Sequence, residues 1–226
     1  ATNARLFMNM INAAKALPYP ATTMVNAGDY DENRIDNKDG LFFEYVKNEF
    51  IDGMGGKTVA VAVGNHQYTH PGNTGETIPV DQTNFIENCA PYADASLEPN
   101  KSIVDGTGKL TKTYYYAFDG SAHYVVVNNF ENSTQKLKIN MTKEQLAWVD
   151  STLNYAQADG KPIFIINHYG PNSSATGFMD IVRKYDNIFY ISGHTHDGFG
   201  SNNVELTRDY TLIELPSTSY TRASHG

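Results

Sequence analysis

The feature of this chain that most limits its fold is a set of short apolar runs set between helix-like stretches. "KTVAVAVGNH" (57–66), "KPIFIINHYG" (161–170) and "NIFYISGHTH" (187–196) are apolar until they break into polar residues. The first is continuous in small apolar and β-branched residues, the pattern of a strand buried on both faces. Helical patterns lie between the runs. Thr2 to Leu17 reads as an amphipathic helix, with Thr2 at its N-cap, Leu6, Met10, Ala13 and Leu17 along one face, and Pro18 and Pro20 stopping it. "GLFFEYVKNEFIDG" (40–53), Asp81 to Cys89 and Gly177 to Tyr185 read as further helices. Thr142 to Asp159 is the clearest: Thr142 and Gln145 fit a capping box, Leu146, Val149 and Leu153 form the apolar face, and Gly160 stands at the C′ position. "ATTMVNAGDY" (21–30) and "YTLIELPS" (210–217) add strands, and "YYYAFDGSAHYVVVNN" (114–129) reads as a hairpin turning at Asp119-Gly120. Strand–helix alternation of this kind is the mark of an α/β fold. Without repeats or a linker, residues 1–226 are expected to form one domain.

Composition narrows the function. The chain has 226 residues, 40% hydrophobic, with a formal net charge of -8 and a pI near 5.3. An acidic chain does not grip long nucleic acids by bulk charge. A small charged substrate held through metal ions remains compatible, because bound cations invert the local field. Cys89 is the sole cysteine, which excludes an intrachain disulfide and a cysteine-ligated zinc cluster. No apolar run approaches the ~20 residues of a membrane-spanning helix. Few lysines, with many tyrosines, asparagines and threonines, point toward a secreted or surface protein.

The chemistry lies where the strands end. "VNAGDY" ends in Asp29, "VAVGNH" in Asn65 and His66, "IINHYG" in His168, and "ISGHTH" in His194 and His196. In open α/β sheets, ligands gather beyond the carboxyl ends of the strands. A carboxylate, a carboxamide and several imidazoles are therefore expected on one rim. Nitrogen and oxygen donors without thiolate suit Zn, Mn, Fe or Ni. An aspartate can bridge two such ions, and a bridged pair can clamp a phosphoryl group and generate hydroxide for in-line attack. Consistent with that route, the chain carries no G-x-S-x-G elbow, Walker loop or G-x-G-x-x-G fingerprint.

"GDYDEN", "GNHQ", the "NH" after a strand and "GHTH" resemble, in order from Gly28 to His196, four motifs of the calcineurin-like metallophosphoesterases. The resemblance implies a two-sheet mixed α/β sandwich with flanking helices and two divalent transition metals in the intact domain. It implies that Asp29 bridges the metals, that Asn65, His168 and His194 complete the second site, and that His196 serves the first. It places His66 off the metals, where an imidazole can assist the leaving group. The implied activity is hydrolysis of a phosphate mono- or diester, of a small phosphorylated substrate, by metal-bridging hydroxide.

Two departures qualify that expectation. The family's opening D-x-H motif is absent, and "GNHQ" has Gln67 where the family usually has an acid. One expectation is that the sequence is a segment truncated at both ends, lacking the first strand. The other is a domain that has lost its first metal site, with Asp31, Glu32 or Asp36 as conceivable substitutes. Either way, this segment is expected to hold one metal well and the other poorly, with weak turnover. The alternative from another class is a non-enzymatic surface module that keeps the fold and one metal site. Other residues divide between chemistry and packing. Tyr30 and Tyr169 either line the pocket or pack, Asn172, Ser173 and Ser174 read as a polar loop, and His70 as an exposed residue. His123 reads as structural, and Tyr114–Tyr116 as sheet surface rather than a base-stacking platform.

Overall fold

A computed structural model describes residues 2–30, 39–67, 82–131, 139–196 and 203–216. Two sheets face each other with helices outside. The small sheet pairs β1 (Thr23–Asn26) and β2 (Thr58–Val61) in parallel. The large one has six strands, β3 (Tyr115–Phe118), β4 (His123–Val126), β5 (Ile163–Ile166), β6 (Ile188–Ser192), β7 (Val204–Leu206) and β8 (Thr211–Glu214), in the order β3-β4-β5-β6-β8-β7. Its middle, β4-β5-β6-β8, is parallel, and an antiparallel strand closes each edge. The helices are α1 (Thr2–Lys15), α2 (Asp39–Tyr45), α3 (Gln82–Cys89), α4 (Lys143–Ala156) and α5 (Phe178–Val182). Among the described residues, no helix is long and apolar enough to cross a membrane.

The continuous runs are buried as their pattern requires. All four residues of β2 are buried, and Ile163, Ile165 and Ile166 of β5 are fully so. Successive side chains of the parallel strands point to opposite faces. On one face Tyr124, Phe164 and Phe189 stack across three strands, with centroids 5.5 and 5.0 Å apart. The sheets are joined by polar groups as well as apolar ones. The hydroxyl of buried Tyr115 accepts from the amide of Val61 (2.9 Å) and donates to the carbonyl of Val59 (3.1 Å). Thr23 donates to Asp119 (2.8 Å), whose carboxylate also caps the β3–β4 turn at Ser121 and Ala122 and accepts from Tyr124.

Three local expectations change. The inward stripe of α1 is Phe7, Ile11 and Ala14, with Ile11 buried and the other two half-buried, whereas Met10, Ala13 and Leu17 are exposed. Both stripes satisfy helical spacing, and the one carrying Phe7 wins because its ring meets Phe42 and Tyr45. Tyr114, Tyr115 and Tyr116 are not sheet surface: all three are buried between layers. The capping box at α4 is half formed. Thr142 accepts from the Gln145 amide (3.0 Å), but Glu131 takes the Thr142 N–H, and the Gln145 side chain instead holds the backbone of Asn128. That exchange ties the end of β4 to α4. The second helical stretch continues from α2 as a π-helical turn, Val46–Asp52. Residues 68–81, which include His70, and the alternatives Asp31, Glu32 and Asp36 lie outside the described residues.

Candidate metal centre

The strand ends do converge. Asp29 follows β1, Asn65 and His66 lie on a 3-10 turn (Asn65–Gln67) beyond β2, His168 follows β5, and His194 and His196 follow β6. Ligand atoms of Asp29, His168 and His194 all lie within 4.8 Å of one another. The amide oxygen of Asn65 sits among them, 2.8 Å from Nε2 of His168 and 2.9 Å from Nδ1 of His194. His196 lies outside that tight group but close enough for its charge to act on His194.

Glycines make the convergence possible. Gly28 has φ +95°, and a Cβ there would stand 2.7 Å from Cα of Gly64 and 2.8 Å from Nδ1 of His168. A Cβ on Gly64 would collide with the amide and carboxylate of Asp29. The two loops thus approach too closely at these positions for any side chain to fit. The candidate ligand positions are themselves strained. Four described non-glycine residues have left-handed φ, and three of them are Asp29 (56°), His194 (75°) and His196 (59°). Such backbone costs of order 1–3 kcal/mol per residue and persists where the surroundings impose it, most often at functional sites.

The donor set fits a cation. Nδ1 of His168 sits 2.7 Å from the carbonyl of Ala27, and only a proton on Nδ1 satisfies that contact. The neutral ring therefore turns the lone pair of Nε2 inward, the arrangement in which an outer carbonyl orients a metal-binding imidazole. Nε2 then faces Oδ2 of Asp29 (3.1 Å) and Oδ1 of Asn65 (2.8 Å), both acceptors. Among the described residues, nothing donates a hydrogen bond to the buried Oδ2 of Asp29. Facing lone pairs need a cation between them: a metal, or in its absence a proton on Nε2. Burial works to raise the carboxyl of Asp29, but His168 and the amide of His66 outweigh it and hold the group below its ordinary value. His194 is lowered to about 4, by burial first and then by the charge of His168. It is neutral at pH 7 and able to ligate.

The surroundings sort the remaining candidates. His66 donates its amide to Oδ1 of Asp29 (2.8 Å), and its Nε2 lies 3.9 Å from Oδ2, about one-third exposed at the rim. Gln67 accepts from the amides of Asp29 (3.0 Å) and Gly64 (2.8 Å), so it clamps the two ligand loops together. Tyr30 packs, stacked on Phe42 with centroids 4.8 Å apart. Tyr169 lines the site: its ring lies 4.1 Å from that of His194 and 5.4 Å from that of His168. Burial, and then the charge of Asp29, push its phenol up. Pro171–Ser173 form a 3-10 turn, and Ser174 bonds Tyr190 beneath the rim. His123 is structural, held between Tyr116 and Asp159. The clamp by Gln67 and the Ala27 carbonyl were not foreseen. A backbone acceptor leaves no sequence signal, and an amide at 67 shows no direction.

Residues 3–198 match the family model for calcineurin-like phosphoesterases, and the chain belongs to that family. A dimetal phosphatase from Danio rerio has a similar fold, with a TM-score of 0.66 over 96% of this chain and 79% of that one, at 15% identity. The sulfate thiohydrolase SoxB from Thermus thermophilus aligns with a TM-score of 0.52 over 96% of this chain and 38% of its own, at 11% identity. No curated protein sequence matches the chain. Family membership supports a metal-dependent, phosphoesterase-type hydrolase, and the two solved structures share the fold.

Proposed function

We propose that this chain hydrolyses phosphate monoesters or diesters of small molecules at a metal centre formed by Asp29, Asn65, His168 and His194. The observation that carries the proposal is the facing of Nε2 of His168 with two acceptors, one of them the orphaned Oδ2 of Asp29. When bound, divalent metals polarise a phosphoryl oxygen and lower the pKa of water. The chain's own residues do the rest. Asp29 supplies negative charge, with Oδ1 fixed by the His66 amide and Oδ2 left for the ligand. Ala27 fixes the ring of His168, and Gln67 fixes the spacing between the Asp29 and Gly64 loops. His66 stands at the rim within reach of a leaving oxygen, to which its ring can give a proton.

His196 stands apart from the tight group, which favours one well-held metal over two. The test is turnover of p-nitrophenyl phosphate and bis-p-nitrophenyl phosphate with added Mn or Zn, for wild type and His66→Ala. Metal-dependent turnover that falls about 10²–10⁴-fold in His66→Ala supports the assignment. Metal uptake with no turnover of either ester favours the non-enzymatic surface module instead.

A further inference from the structure

We propose that Tyr169 contacts the substrate, its phenol donating a hydrogen bond to a phosphoryl oxygen of an ester bound at the metal centre. The inference rests on the site's phosphoester reading and adds to it a residue that the motif pattern does not assign.

The main chain of Tyr169 is pinned from below. Its carbonyl accepts from the hydroxyl of fully buried Tyr190 (2.9 Å). That hydroxyl in turn accepts from Nδ2 of Asn167 (2.7 Å) and sits 2.8 Å from Oγ of Ser174. Its ring is pinned from the sides. Phe130 meets it edge-on with centroids 5.3 Å apart, and His194 crosses it at 64° with centroids 4.1 Å apart. The side chain is half-buried, and its phenol lies close enough to Asp29 for that charge to act on it. Among the described residues no hydrogen bond uses the Tyr169 hydroxyl, whereas those of Tyr115, Tyr116, Tyr124, Tyr185 and Tyr190 are engaged, and that of Tyr114, also unbonded, is sealed in the core. A rigidly held ring against a ligand histidine thus ends in an unspent donor. Preorganised donors of this kind hold an anion without the entropy cost of ordering a loose side chain. The chemistry that fits is the phosphoryl group, an oxyanion with several acceptors. A ring locked on His194 presents its donor at a fixed distance from whatever His194 ligates.

The test compares wild type with Tyr169→Phe, which keeps the ring and removes only the donor. Manganese affinity, inorganic phosphate affinity of the manganese-loaded protein, and thermal midpoint are measured for both. Equal manganese affinity and midpoint with phosphate bound about tenfold more weakly by Tyr169→Phe is the expected result, the loss of one hydrogen bond to a charged group. Equal phosphate affinity within twofold overturns the proposal. A second measurement does not depend on the variant. In zinc-loaded wild type labelled at tyrosine Cζ, phosphate is expected to shift one tyrosine resonance, and a spectrum that does not move overturns the proposal. Turnover of p-nitrophenyl phosphate is scored separately. Phosphate binding that depends on Tyr169, without turnover, leaves this inference standing and removes only the hydrolase reading.

Discussion

Two buried histidines, at opposite ends of the large sheet, show how a structural imidazole differs from a candidate ligand. His123 and His168 are both buried, and both stand near an aspartate. At His123 each ring nitrogen has a complementary partner. Nδ1 meets the Tyr116 hydroxyl at 2.6 Å and Nε2 meets Asp159 at 2.9 Å. Lys161 in turn balances Asp159 (2.6 Å). Nothing there is left over. At His168 one nitrogen is spent on the Ala27 carbonyl, and the other faces two acceptors that cannot satisfy it without a cation. A nearby carboxylate is therefore uninformative. What separates the two is whether the hydrogen bonds close.

The sharpest way to break the comparison is to move the carboxylate without touching a ligand. Gly64→Ala forces a Cβ into the amide and carboxylate of Asp29. Loss of metal uptake is expected, with destabilisation of about 1–3 kcal/mol from overpacking. Metal titration and chemical denaturation of the variant check both. Gln67→Leu orphans the amides of Asp29 and Gly64. It is expected to weaken metal affinity about 10–100-fold, as loss of an outer partner does, while Gln67→Glu keeps the acceptor and restores most of it. At the other end, His123→Phe leaves the buried Tyr116 hydroxyl unpartnered. It is expected to cost about 1–3 kcal/mol of stability and leave metal affinity unchanged, measured by the same titration.

The smallest effect is the pH response. His194 is held down to about 4 in the folded, metal-free protein, while an unfolded histidine titrates near 6.5. Between those values the unfolded chain binds more protons than the folded one. The contribution is thus fully present above pH 6.5 and is lost as pH falls toward 4. Unfolding free energy of metal-free protein is expected to decline from pH 7 to 5, with a shallower slope in His194→Asn, which tolerates the left-handed backbone.

Much of this was legible in the sequence. Buried runs gave the parallel strands, and polar residues at their ends gave Asp29, Asn65, His66, His168, His194 and His196 on one rim. Other features depend on contacts that sequence does not encode locally. The buried face of α1 was decided by which apolar stripe met Phe42. β7 is three residues long and exposed, too short to register as a strand. The left-handed backbone at Asp29, His194 and His196 follows from neither residue type nor spacing. Gln67 stood out in the sequence only as a departure from the family's acid, and nothing there showed that its carbonyl accepts from the Asp29 and Gly64 amides.

The account stands most directly on metal stoichiometry in wild type, His168→Ala and His123→Ala, read by elemental analysis after dialysis against Mn or Zn. At least one metal per chain in wild type and in His123→Ala, with none in His168→Ala, is the predicted result. Equal metal content in the two variants, or none in wild type, would contradict the claim that the unclosed hydrogen bonds at His168 mark a metal centre.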